Sequence, residues 1–150
     1  MTTSEVTANE RRSGTQDMVE KLLVERNEML AKFCETAGLT PFNEAEPSTK
    51  VLQEFCEVLV DYFAFGHFEI YERIVDGRER RQNVVDTARE VYARIIETSE
   101  AAVNFNDKYD ATDHVLDTHE LDKDLSHLGE ELAIRVEMED RIIAALTEGK

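Results

Sequence analysis

Residues 49–75 read TKVLQEFCEVLVDYFAFGHFEIYERIV, and their periodicity decides the fold. With Leu59 at the centre of one face and about 100° per residue, Leu52, Phe55, Phe63, Gly66, Ile70 and Arg73 fall within about 60° of it. Cys56 and Ile74 extend this inward stripe. Asp61, Phe65, Phe68 and Glu72 collect on the opposite side, at i, i+4, i+7 and i+11. The stretch therefore reads as one amphipathic helix from Thr49 to about Val75. Gly66 interrupts it. A glycine inside a helix costs roughly 1 kcal/mol against alanine, so a kink or a close contact is expected there.

Three more stretches show the same period. The first runs from about Gln16 to Ala37, with Val19, Leu22, Leu23, Met29, Leu30 and Phe33 to one side, and Gly38 and Thr40-Pro41 as its stop. Ser48, after Pro47, supplies an N-cap for the second helix, and Asp76-Gly77 closes it. A third helix over about Glu79–Asn106 carries Val84, Val85, Ala88, Val91, Tyr92, Ile95, Ile96 and Val103. After the turn NDKYDATD, with Thr112 or Asp113 as cap, a fourth extends from about His114 to Leu146 along Leu121, Leu125, Leu128, Leu132, Val136, Ile143 and Leu146. Residues 1–15 read as a disordered polar tail. Residues 16–150 form the expected domain, an all-α, antiparallel up-and-down four-helix bundle kinked near Gly66.

Composition agrees. The 150 residues hold 2 Pro, 6 Gly and no Trp, which favours long elements over a β-sandwich. Asp and Glu number 33 against 17 Lys and Arg, a net charge of −16. That balance opposes direct binding to nucleic acid, which needs clustered cations, and suits a basic protein partner. Between Glu97 and Asp140 stand 14 acids and 3 bases, so most of the excess lies in the C-terminal third. No apolar run suggests a signal or a membrane span, and a cytoplasmic protein is expected. Cys34 and Cys56 then read as reduced, buried thiols.

The outward phenylalanines admit two readings. A loop, the N-terminal segment or a like subunit covers them, or they form a partner-binding stripe with carboxylates at its rim. Tyr62, Arg73, Arg135 and Glu139 intrude on core lines, so an internal polar network is expected, with Arg73 or Arg135 paired to Glu139. A metal-binding bundle using His67, His127 and Glu131 is a further alternative. No Glu-x-x-His motif supports it, and neither a metal nor any other cofactor is expected. Neither a nucleophile elbow nor a phosphate loop nor HExxH occurs, so no catalytic residues are assigned and an enzyme is not indicated.

The run Glu54-Phe55-Cys56-Glu57-Val58-Leu59-Val60-Asp61-Tyr62, continuing to Gly66-His67-Phe68-Glu69-Ile70-Tyr71-Glu72-Arg73-Ile74, resembles the Rsd/AlgQ family of bacterial sigma-factor regulators. Leu23-Val24-Glu25-Arg26, Val91-Tyr92-Ala93-Arg94, His127-Leu128-Gly129-Glu130 and Met138-Glu139-Asp140 echo its other helices. Phe65 departs from the family, which usually has a small residue there, and Glu20-Lys21-Leu22-Leu23 lacks the family's aromatic.

The resemblance implies an up-and-down bundle with a polar centre. It also implies an anti-sigma factor that engages the C-terminal region of the primary sigma factor and holds it from core RNA polymerase and promoter DNA. The partner-binding residues it implies are Asp61, His67, Phe68, Tyr71 and Glu72, and the outward stripe adds Phe65. Asp61, Phe68 and Glu72 belong to the outward face, and Tyr62 and Arg73 to the internal network. His67 and Tyr71 lie at the border, about 80° and 120° from Leu59. Members of the family also meet other proteins, such as a stress-nucleotide enzyme or a phosphocarrier, which leaves an accessory regulator as the alternative. A monomer or a weak homodimer is expected.

Overall fold

The computed structural model describes residues 3–38, 49–77, 79–110 and 117–148. It has helices α1 (Thr3–Thr36), α2 (Thr49–Phe65), α3 (Glu72–Val75), α4 (Gln82–Tyr109) and α5 (Leu121–Glu148). A π-helical turn, Gly66–Tyr71, joins α2 to α3 without a break, so these three pieces make one rod. There are four rods and, among the described residues, no strands: the all-α four-helix bundle read from the periodicity.

Side-chain contacts fix the directions. Near the end of α1, Lys32 reaches Glu54 at the start of α2, at 3.0 Å. Gln53 donates to the carbonyl of Tyr109, the last residue of α4, at 2.7 Å. Arg81, just before α4, donates to the carbonyl of Leu146 near the end of α5, at 2.8 Å. Each rod thus runs antiparallel to the one it touches, up, down, up and down. Two of these bonds also satisfy carbonyls that a helix end leaves without an internal donor.

The boundaries differ in places. α1 begins at Thr3 instead of Gln16, so helix occupies most of the stretch expected as a tail. No proline interrupts it, and Glu5, Ala8, Glu10, Arg11 and Arg12 are good formers that outweigh Gly14. It ends where expected, with Gly38 at φ 69° donating to the Glu35 carbonyl at 3.2 Å. α5 begins at Leu121, seven residues after His114. Asp117 accepts the His119 backbone N–H at 3.0 Å, a local turn that competes with helix. The expected caps Ser48, Thr112 and Asp113 lie outside the described residues.

The core runs the length of the bundle. Leu22 and Met29 from α1, Phe55 and Leu59 from α2, Val84 and Val91 from α4, and Leu128 and Ile142 from α5 are all buried. Each such side chain contributes about 1.5–3 kcal/mol relative to exposure. Phe55 packs between Phe33 and Phe105, at ring distances of 5.9 and 5.6 Å. Cys56 is buried and Cys34 half-buried, both free thiols. Burial pushes the Cys56 thiol up to about 12. No described helix is long and apolar enough to cross a membrane.

Candidate partner-binding site

The site begins with one extra residue in a helical turn. The Glu72 N–H donates to the His67 carbonyl, an i→i+5 bond, before the ordinary spacing resumes with Asp76 N–H to the Glu72 carbonyl at 2.9 Å. Widening a turn by one residue sets back everything downstream by roughly 100° relative to a continuous α-helix. Two of the expectations that the structure overturns follow from that offset. Tyr71, expected at the edge of the partner surface, is buried at 2% exposure. Arg73, expected inside the polar network, lies on the surface with Nη1 against the Met18 sulfur at 3.1 Å.

Gly66 opens the π turn because no side chain fits there. A Cβ on it would stand 2.9 Å from Arg135 Nη2 and 3.1 Å from the Tyr71 ring. The close contact expected at this glycine is therefore present, and its neighbours are the polar centre of the bundle.

That centre is Glu139 of α5, which is fully buried. Its Oε1 accepts from the Tyr62 hydroxyl at 2.6 Å and from Arg26 Nη1 at 3.3 Å. Its Oε2 accepts from the Tyr71 hydroxyl and from Arg135 Nε at 3.3 Å. A carboxylate offers about four lone-pair positions, so this one is saturated. Arg135 also donates through Nη1 to Ser99 Oγ at 3.0 Å and to Thr98 Oγ1 at 3.3 Å on α4. Its guanidinium lies over the rings of Phe63, Tyr71 and Tyr62, at 4.2, 4.9 and 5.6 Å.

Every rod contributes to this network. Burial, and next the Glu139 charge, lifts both the Tyr62 and Tyr71 hydroxyls well above the ordinary tyrosine range, so both remain donors. Burial opposes the Arg135 cation, but the Glu139 carboxylate that it hydrogen-bonds outweighs this and holds the guanidinium protonated. Tyr62, Arg135 and Glu139 thus join as expected. Arg26, Thr98 and Ser99 were not anticipated. Arg26 was legible in part, because it falls on the line Leu22–Arg26–Met29, at i, i+4 and i+7 on the inward face of α1.

Outside the rod, Asp61, Phe68, Glu69 and Glu72 are exposed, and Phe68 is the most exposed large apolar side chain among the described residues, at 61%. His67, half-buried, meets the Phe68 ring edge-on at 4.8 Å. Phe65 departs from the expected stripe: it packs partly against the core, with Lys21 Nζ 4.7 Å above its ring. Glu25 of α1 faces the same side. Burial raises its carboxyl above the usual range, Lys21 opposes this, and Asp61 and Glu28 add to it.

Among the described residues, no three His, Cys, Asp or Glu side chains come together as a metal site, and His67, His127 and Glu131 are not gathered.

The comparisons agree with this architecture. The family model described as "Regulator of RNA polymerase sigma(70) subunit, Rsd/AlgQ" matches residues 1–147. A protein named regulator of sigma D from Yersinia enterocolitica is 32% identical over 147 residues, covering 89% of this chain and 83% of the relative. Proteins of the same name from an Enterobacter species and from Yersinia pseudotuberculosis are 33% and 30% identical, each over 141 residues. They cover 90% and 89% of this chain, and 83% and 82% of their own lengths. With a family match along nearly its whole length and relatives at 30–33% identity, the chain belongs to the Rsd/AlgQ family.

Proposed function

We propose that this chain is a non-catalytic, cytoplasmic anti-sigma factor. It binds the C-terminal, promoter-reading region of the primary sigma factor and holds it away from core RNA polymerase and promoter DNA. The observation that carries this reading is Phe68, a phenylalanine 61% exposed on a rod where the carboxylates Asp61, Glu69 and Glu72 are exposed around it. Solvating such a ring is unfavourable, and an aromatic anchor within a charged rim is a common arrangement at protein interfaces.

The sign of the charge supports the same partner. A helix-turn-helix module meets the DNA backbone through cations, and carboxylates can take the place of phosphates against them. The net charge of −16 speeds the approach of such a basic surface, while the Phe68 contact gives the complex its lifetime.

Calorimetric titration against the isolated C-terminal domain of the primary sigma factor, at low and high salt, tests this. Binding at one to one that weakens with salt is expected. Absence of binding at both salts overturns the reading and leaves a regulator of another protein as the alternative.

A further inference from the structure

The Tyr71 hydroxyl sits where two helical registers diverge. With α spacing throughout, Arg73 would point inward, about 40° from the Leu59 line, and Tyr71 would lie about 120° away, toward the surface. With the π turn, the positions are exchanged: Tyr71 is buried on Glu139, and Arg73 is exposed against Met18. Both side chains can donate to a carboxylate, so Glu139 has two candidate partners on the same rod, two residues apart. Phe68 and Glu72 face outward in either register, but only the π register places Arg73, and not Tyr71, beside them at the surface.

We propose that Tyr71 is a positioning residue for the partner-binding face. Its hydroxyl occupies the last acceptor position of Glu139 and thereby holds the π turn that sets Arg73, in place of Tyr71, beside Phe68 and Glu72 on the outward face. The inference rests on the reading that this face docks the sigma factor, but its first test does not need the partner. Tyr62 is the internal control. It donates to the same carboxylate and is equally buried, yet it precedes the π turn and has no part in setting its register.

Nuclear magnetic resonance reads the register directly. A through-hydrogen-bond correlation from the Glu72 amide should reach the His67 carbonyl in the native chain. Finding it on the Phe68 carbonyl instead overturns the proposal without any variant. In Tyr71→Phe the correlation should move to Phe68 and the His67 ring resonances should shift, while Tyr62→Phe leaves both in place. Affinity for the sigma domain should fall about tenfold in Tyr71→Phe, a difference of about 1.4 kcal/mol, and stay near native in Tyr62→Phe. An unmoved register in Tyr71→Phe, or equal losses in the two variants, overturns the proposal. If the native chain does not bind the sigma domain, the docking reading fails, and the register measurement still decides the role of Tyr71.

Discussion

Tyr71 donates its hydroxyl hydrogen to Glu139, 68 residues further along the chain, and that bond joins the widened turn of the second rod to α5. The same carboxylate takes Tyr62 from α2, Arg26 from α1 and Arg135 from its own helix. One buried charge thus fixes the relative placement of three rods, and Arg135 carries the connection to the fourth.

Removing that charge should be severe. Glu139→Ala leaves Arg135 buried without its counter-ion and two hydroxyls without an acceptor, and a broken buried pair typically costs about 3–5 kcal/mol. Urea unfolding should show a loss of that size. A loss below about 1 kcal/mol, the range of surface changes, would mean that the network does not hold the bundle.

Two glycines should respond with opposite signs. At Gly66 an added methyl meets Arg135 and the Tyr71 ring, both buried and unable to retreat. Overpacking of about 1–3 kcal/mol should exceed the gain of roughly 1 kcal/mol in helix propensity, so Gly66→Ala destabilises. At Gly14 of α1 nothing stands within 4 Å, so Gly14→Ala should stabilise by up to about 1 kcal/mol. Thermal unfolding of the two variants checks the contrast.

Much of this architecture was legible in the sequence. The four rods, their order and a buried pairing of Glu139 with either Arg73 or Arg135 follow from apolar spacing and from charges placed on core lines. Tyr71 and Arg73 were exchanged, because a wheel of constant pitch cannot register one extra residue in a turn. Gly66 marked the place, since a helix keeps a glycine where a neighbour needs the space, but not the type of interruption. Phe65 was legible as an apolar residue on the outer side of α2. What covers its ring depends on Lys21 of α1, and such a contact between rods has no trace in the periodicity of either.

Alkaline titration should expose the two tyrosines. Their hydroxyls are lifted in the folded chain above the ordinary value of 10.0. The stability that these two hydroxyls contribute is therefore complete below about pH 10 and declines above it, because the unfolded chain releases protons that the folded chain retains. Each tyrosine contributes a slope of about 1.4 kcal/mol per pH unit. Urea midpoints between pH 8 and 11 should follow that decline, and Tyr62→Phe with Tyr71→Phe should make it shallower, leaving the share of Cys56 and Tyr109, which are also raised. A native chain with no decline would place both hydroxyls in contact with solvent.

The most direct test of the account is a binding footprint. Backbone resonances of the labelled chain should be followed while the unlabelled sigma C-terminal domain is added. The account predicts shifts centred on Asp61, His67, Phe68 and Glu72, and loss of those shifts in Phe68→Ala, whose own stability should stay within about 0.5 kcal/mol of native. A footprint on the opposite side of the bundle, along α4 and α5, with the Phe68 face unmoved, would contradict it.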